Sequence, residues 1–345
     1  MRSFTGYLKG VNLGGWLSQY DEDTKEHFDT FITEKDIANI KSMGFDHVRV
    51  PVDYPVIETE DGDAVEEGFA YLKNVHSWCV KNGLNMIIDL HKAYGYSFDP
   101  LDDTDKEVFF FDKDIQNRFY ATWKRIASYF ADSSDSVAFE LLNEVTSAEV
   151  WKEWNGVICE AVKAIRSVAK DNYIIYGGVM YNSVVSVPQL VNPGDNRVVY
   201  NFHCYEPLII THQGAYWVEN MPSDFRIGYP VSLEECRKAS YEISHDLAGA
   251  IYDERLKGLG PDFFEMLFEG ALKKAEEDDV PLYCGEFGVI DLADDYVKVA
   301  WTKDITSVLN KYGIGHAYWN YKEKDFGIIN IENAEARNEL IKSLT

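Results

Sequence analysis

Two short segments carry side chains that could do chemistry together. Phe139-Glu140-Leu141-Leu142-Asn143-Glu144-Val145 is an apolar run that ends in a polar pair. Tyr283-Cys284-Gly285-Glu286-Phe287-Gly288 is a second apolar run that ends in a glutamate, here flanked by glycines. Two carboxyls facing each other over a sugar ring are what glycosidic cleavage needs. One must be protonated to assist the leaving group, and the other ionised to attack the anomeric carbon or to activate water. Alternation along the first run puts Glu140, Leu142 and Glu144 on one side if the strand stays regular. Glu140 is then the deeper group, tolerable only with a partner, for which Arg49 is a candidate. Glycines beside Glu286 would let a substrate approach the carboxylate closely. A single glutamate at a strand end is as readily a structural ion pair as a catalyst. Two on different strands of one sheet shift that balance toward catalysis.

Such residues act only if a fold holds them at one rim. Short apolar runs alternate with helical patterns, which predicts β/α units around a parallel sheet. Strands are expected at 7–13, 47–52, 85–91, 136–143, 173–177, 197–205, 281–285 and 315–321. Helical spacing joins Ile37, Ile40 and Met43; Phe69, Leu72, Val75 and Cys79; and Ile115, Phe119, Trp123, Ile126 and Phe130. It recurs in Trp151, Trp154, Ile158, Val162 and Ile165, and in Val297, Trp301, Ile305 and Val308. Thr33 with Asp36 reads as a capping box, and a last helix is expected near 339–344. Eight strands close an α/β (β/α)8 TIM barrel by count, whose strand-end residues face substrate at the C-terminal rim. Residues 1–345 form one domain in this reading. The stretch 206–262, about 57 residues, is too long for a plain βα loop. It holds His212, Gln213, Trp217, Phe225, Tyr229 and a helix expected around 234–252. It reads as an inserted subdomain over the cleft, part of the same domain; the alternative is a stabilising decoration.

Composition narrows the partners. With 22 Tyr, 19 Phe and 8 Trp, aromatics suffice both for a core and for stacking against pyranose faces. Of the tryptophans, Trp16 suits core and cleft wall equally, and Trp217 suits packing better than ligand contact. A formal charge of −25 at pH 7 repels phosphate backbones and anionic lipid, so no nucleic acid and no membrane are expected as partners. A neutral polymer is indifferent to that field. Five cysteines, Cys79, Cys159, Cys204, Cys236 and Cys284, are odd in number and lack a C-x-x-C pair, which fits reduced, partly buried thiols. No His/Asp/Glu spacing has metal-site form and no G-x-S-x-G elbow occurs, so neither metal nor cofactor is expected. The first residues run into a strand without the apolar region of a signal peptide. Location stays open between the cytoplasm and export with a signal removed. A monomer is expected.

Further motifs follow in order along the chain. They are Gly10-Val11-Asn12-Leu13-Gly14-Gly15-Trp16, His47-Val48-Arg49-Val50-Pro51, Asp89-Leu90-His91, Leu142-Asn143-Glu144, Asn201-Phe202-His203-Cys204-Tyr205, Gly285-Glu286-Phe287-Gly288 and Trp319-Asn320-Tyr321-Lys322. In that order the sequence resembles glycoside hydrolase family 5, in the clan of retaining barrel glycosidases, and within it the clostridial non-cellulosomal endoglucanases. The resemblance implies Glu144 as acid/base and Glu286 as nucleophile. It implies that Arg49 holds Glu286 ionised, that Asn143 bonds the 2-hydroxyl of the reacting sugar, and that His91 lines the cleaved subsite. His203 and Tyr205 would orient the carboxylates, and Trp319 would floor the reacting ring. Arg49 could instead be a structural partner of Glu140 or Asp89. The substrate implied is a β-glucan polysaccharide or oligosaccharide, cleaved internally at β-1,4 bonds as in cellulose or mixed-linkage glucan. A β-mannanase or glucomannanase and an exo-β-1,3-glucanase remain alternatives, the latter because 10–16 is also similar to that branch; a barrel that binds sugar without cleaving it is the third. Two positions depart from the family pattern: Lys92 stands where many relatives carry a second histidine, and Val145 where a proline often follows Asn-Glu.

Overall fold

A computed structural model describes residues 1–102, 107–243 and 249–345. Among them, eight parallel strands close into a barrel in sequence order. They are Lys9–Asn12 (β1), His47–Asp53 (β2), Asn85–Lys92 (β3), Val137–Glu140 (β4), Ile174–Gly177 (β5), Val198–His203 (β6), Leu282–Glu286 (β7) and Gly315–Tyr318 (β8). Helices such as Glu34–Ser42, Glu66–Asn82, Lys113–Tyr129, Trp151–Arg166 and Asp295–Tyr312 make the crossovers. Local chemistry sets their ends. The Thr33–Asp36 capping box is present, Asp112 caps its helix by accepting from the Asp114 and Ile115 amides, and Gly83 ends another at φ 66°. A helix over Lys25–Thr30, capped by Thr24, buries no side chain and so leaves no apolar periodicity to read.

Alternation sorts the strand residues into two sets. Val48, Val50, Ile88, Phe139, Ile174, Phe202 and Cys284 point outward into one continuous apolar layer beneath the helices. Ile87, Ala138, Ile175, Val199, Tyr283 and Ala317 fill the lower barrel, closed by Phe4 stacked on Tyr7 at 4.3 Å. Nearer the C-terminal ends of the strands the interior turns polar, with Asn12, Arg49, Asp89, Glu140 and Asn201 fully buried.

Three expectations need correction. Strand β4 stops pairing at Glu140, so the pleat does not carry to Glu144. Leu141 and Leu142 both join the outer layer, while Asn143 and Glu144 turn inward as consecutive residues. Trp151, expected inward, is half-buried, because its helix begins there out of a 3-10 turn. The helix expected at 234–252 is Leu233–Ile243, followed by a 3-10 turn at Gly249–Tyr252; 244–248 lie outside the described residues. Trp16 belongs to the core, its indole N–H donating to the Phe28 carbonyl at 2.9 Å. The stretch 206–262 packs against the barrel at His212, whose ring meets Tyr205 at 5.0 Å and Phe326 at 5.6 Å, and at Tyr229, which donates to Asp304. Trp217 is half-buried against His212 and Phe326.

Candidate active site

Arg49 on β2 is the centre of the polar layer. Its Nε and Nη2 donate to the two oxygens of Glu140 at 2.7 and 2.8 Å. Nη1 donates to Glu286 Oε1 at 2.7 Å and Asn12 Oδ1 at 2.9 Å; Nη2 also reaches Asn143 Oδ1 at 2.8 Å and Asp89 at 3.0 Å. Arg49 therefore holds both the structural carboxyls and Glu286, and the alternatives for its partner are met together. One guanidinium faces three buried carboxyls. Burial pushes Asp89 and Glu140 up to about 7 each, against the pull of Arg49.

Glu144 follows β4 and Glu286 ends β7, three strands further round the barrel, and both border this layer. Glu144 Oε1 lies 2.7 Å from His203 Nδ1. Glu286 Oε2 accepts from the Tyr205 hydroxyl at 3.1 Å. An oxygen of each carboxyl and a ring nitrogen of His203 all lie within 4.8 Å of one another. Burial raises both carboxyls. On Glu286 the touching Arg49 opposes it. Glu144 touches no cation, and the charge of Glu286 raises it further, so the proton belongs on Glu144. His203 is held neutral, far below its usual range, by burial and by Arg49. Its contact with Glu144 is thus a hydrogen bond between neutral groups rather than an ion pair. His91 is likewise neutral, pushed down to about 3 by burial, with Nδ1 2.6 Å from Asp89.

The floor is Trp319, 6% exposed and parallel to His91 at 5.8 Å. Gly14 is required beneath it, because a Cβ there would lie 2.5 Å from the indole. Asn320 pins the same turn by exchanging two hydrogen bonds with Gly14, both 3.0 Å; the Trp319–Asn320 peptide is cis. The glycines around Glu286 have a different use from the one expected. A Cβ at Gly285 would meet Asn201 at 2.8 Å, and one at Gly288 the Trp319 carbonyl at 2.4 Å. They admit protein, not substrate.

All the residues singled out from sequence, Arg49, His91, Asn143, Glu144, His203, Tyr205, Glu286 and Trp319, converge on this mouth. Others of equal structural weight were missed. Tyr96 in the loop after β3 donates to the Glu144 carbonyl at 2.7 Å and accepts from the Thr146 amide at 3.0 Å, holding the turn that replaces the pleat. Nothing in the sequence marks it. Asn12 and Asn201 sat in quoted motifs without a role. Asn201 donates to Glu140 and accepts from the Gly285 amide. Lys92 turns its ammonium away onto Asp102 at 2.8 Å, on the wall of a cavity of about 430 Å³ that Asp53, Tyr20 and Ser97 also line. Glu144, His203 and Glu286 are also the one group among the described residues with metal-like convergence, which sequence spacing did not reveal. The Arg49 charge at 2.7 Å from Glu286 opposes a cation there.

A closed β/α barrel with two carboxyls set against each other at its C-terminal rim is the architecture of a barrel glycosidase. The family described as cellulase (glycosyl hydrolase family 5) matches residues 7–325. Endoglucanase C of Acetivibrio thermocellus is 40% identical, over 98% of both chains. Cellodextrinase A of Ruminococcus flavefaciens is 40% identical over 90% of this chain and 84% of its own. Among solved structures, Thermotoga maritima Cel5A with cellobiose superposes with a TM-score of 0.74 at 24% identity, over 98% of this chain and 97% of that one. The cellulose synthase subunit Z of Clostridioides difficile gives 0.76 at 24%, over 98% and 99%. The chain belongs to glycosyl hydrolase family 5.

Proposed function

We propose that the protein is an endo-acting β-glucanase that hydrolyses β-1,4-glucosidic bonds with retention, Glu144 serving as acid/base and Glu286 as nucleophile. The observation that carries this is the close approach of the two carboxyls, one oxygen of each within 4.8 Å of the other, with Arg49 bound to Glu286 and not to Glu144. Inverting enzymes need about 6.5–9.5 Å between carboxyls to seat a water, and retaining ones about 5–5.5 Å.

The first half-reaction begins with Glu144 giving its proton to the glycosidic oxygen. His203 Nδ1–H donating to Oε1 leaves that proton on Oε2. Ionised Glu286 attacks the anomeric carbon, the C–O bond to the leaving sugar breaks, and a glycosyl ester remains. Arg49 occupies Asn143 Oδ1, so the amide NH2 is the end available to the 2-hydroxyl. Trp319 supports the ring and His91 borders the same subsite. Burial and the charge of Glu286 together hold the proton on Glu144; once Glu286 is an ester its charge is gone, and Glu144 ionises more readily. Glu144, now ionised, takes a proton from water; the hydroxyl attacks the anomeric carbon and Glu286 departs as carboxylate.

The endoglucanase and cellodextrinase names of the 40% relatives favour a β-1,4-glucan, polysaccharide or oligosaccharide, as substrate. The cycle uses carboxyls and water and calls on no cofactor. We read the chain as one domain acting as a monomer, with 206–262 folded over one end of the cleft. The test is a polysaccharide panel of cellulose, mixed-linkage glucan, glucomannan, xylan and laminarin, with reducing-end assay, product sizing and proton NMR of the first product. Internal cuts in β-1,4-glucan with β-configured product are expected. Inverted product, or action on mannan or laminarin alone, overturns the proposal.

A further inference from the structure

The turn that carries Asn143, Glu144 and Val145 lies beyond the last paired residue of β4. Its backbone carbonyls are taken one by one by other loops. From the β3 side the Tyr96 hydroxyl donates to the Glu144 carbonyl at 2.7 Å. The loop after β5 takes the carbonyls on either side. Asn182 Nδ2 donates to that of Asn143 at 3.4 Å, and Tyr181 N–H to that of Val145 at 3.0 Å.

The loop after β5 is shaped for this. Met180, Tyr181 and Asn182 follow one another at φ 56°, 56° and 55°. Residues with a Cβ avoid this region, asparagine less than most, and such a backbone persists only where its surroundings impose it. Asn182 is fully buried, and its Oδ1 accepts from the Gly178 amide at 3.2 Å. A Cβ on Gly177 would lie 1.8 Å from that oxygen, so β5 ends in a glycine over which the Asn182 side chain can lie. The Asn182 carbonyl accepts from the His203 amide at 2.8 Å, and Ser183 bridges to His203 in parallel. His203 in turn brings Nδ1 to 2.7 Å from Glu144 Oε1. One buried residue thus ties down the backbone beneath both ends of that contact. Among the described residues, none of its hydrogen bonds goes to Arg49 or Glu286.

We infer that Asn182 is a positioning residue for the acid/base. It sets the distance between Glu144 and His203, and through that distance which oxygen of Glu144 carries the proton. This rests on the assignment of Glu144 and Glu286 above. The nucleophile stands on β7, outside this clamp. Loss of Asn182 should therefore impair proton donation and leave attack on the anomeric carbon intact.

The experiment compares kcat/KM on cellotetraose and on dinitrophenyl β-cellobioside, a quantity that reports the first half-reaction. A sugar leaves only with a proton from Glu144, whereas dinitrophenolate departs with the bonding electrons and needs none. Asn182→Gly removes the side chain and suits the left-handed backbone. Its kcat/KM on cellotetraose should fall at least about tenfold, part of the roughly hundredfold or more that a general acid contributes, and on the dinitrophenyl substrate should stay within about threefold. Gly177→Ala, whose methyl displaces the Asn182 amide without removing it, should show the same split and carries the test if the glycine variant does not fold. Glu144→Gln is the reference. Equal losses on both substrates, or none on either, overturn positioning by Asn182 when Glu144→Gln still separates the two. If Glu144→Gln itself loses equally on both, the assignment of Glu144 fails, and this inference with it.

Discussion

Arg49→Lys keeps the charge and most of the length of the central side chain, yet it should be severe. Arg49 donates five hydrogen bonds, two to Glu140 and one each to Asn12, Asn143 and Glu286. An ammonium has three protons in tetrahedral array and no fork. At least two of these buried acceptors must therefore go without a donor. An unsatisfied buried polar group costs about 1–3 kcal/mol, so the variant should lose roughly 2–6 kcal/mol of stability. Urea unfolding followed by tryptophan fluorescence measures this as a lower midpoint at unchanged slope. Catalysis supplies a second readout. Arg49 pulls the Glu286 carboxyl down against the effect of burial. Weakening that pull raises it, so the acid limb of the kcat/KM profile should move to higher pH. A loss below about 1 kcal/mol together with an unmoved acid limb would refute the central role given to this side chain.

Stability should also depend on pH in an unusual direction. Asp89 and Glu140, ordinarily at 3.8 and 4.5, are both raised to about 7 in the folded protein. Between those limits the folded state holds more protons than the unfolded one, so their contribution to stability is full below pH 4 and is lost as pH rises toward 7; urea midpoints across that range check it, and Glu140→Gln should flatten the slope. Azide should rescue Glu144→Ala with a β-glycosyl azide and Glu286→Ala with an α-glycosyl azide, read by proton NMR; the same anomer from both would reverse or void the roles. Tyr96→Phe removes the bridge between the Glu144 carbonyl and the Thr146 amide, and should lower kcat by about tenfold with little change in KM, as expected of roughly 1.4 kcal/mol of lost positioning. Activity should survive prolonged dialysis against EDTA, and loss reversed by a divalent ion would refute the metal-free mechanism.

The barrel was legible because burial on both faces writes a strand as a short, mostly apolar run, as in Val198–His203, while one-sided burial writes the helices between them with a period of 3.6. Glu144 and Glu286 were legible because each ends an apolar run. The path by which Glu144 reaches the mouth was not. Regular alternation would have brought Leu142 with it, and the turn that prevents this is fixed by Tyr96, contributed from another loop and distant in sequence. Gly285 and Gly288 show the same limit. Their smallness is visible in the sequence, but whether substrate or protein fills the space depends on Asn201 and Trp319, which only the folded chain brings there. Side chains that answer to their own neighbours could be read in advance; those that answer to another strand could not.

Asn12 carries a consequence for how the enzyme comes into being during synthesis. Its amide donates to the carbonyls of Gly285, Ala317 and Tyr318 at 3.0–3.2 Å, while its oxygen accepts from Arg49. The residue that steadies the arginine is therefore itself steadied by strands 273 to 306 positions later. A nascent chain that has produced β1 to β6 already owns the proton donor, yet it lacks Glu286 and the strands that steady Asn12 against Arg49. The seam between first and last strands is the final closure, and loop closure across such a span is among the slower and more entropically demanding events in folding. An emerging chain lacks Glu286 until β7 and the β8 partners of Asn12 until the last strand, so activity is expected only once β8 has been made.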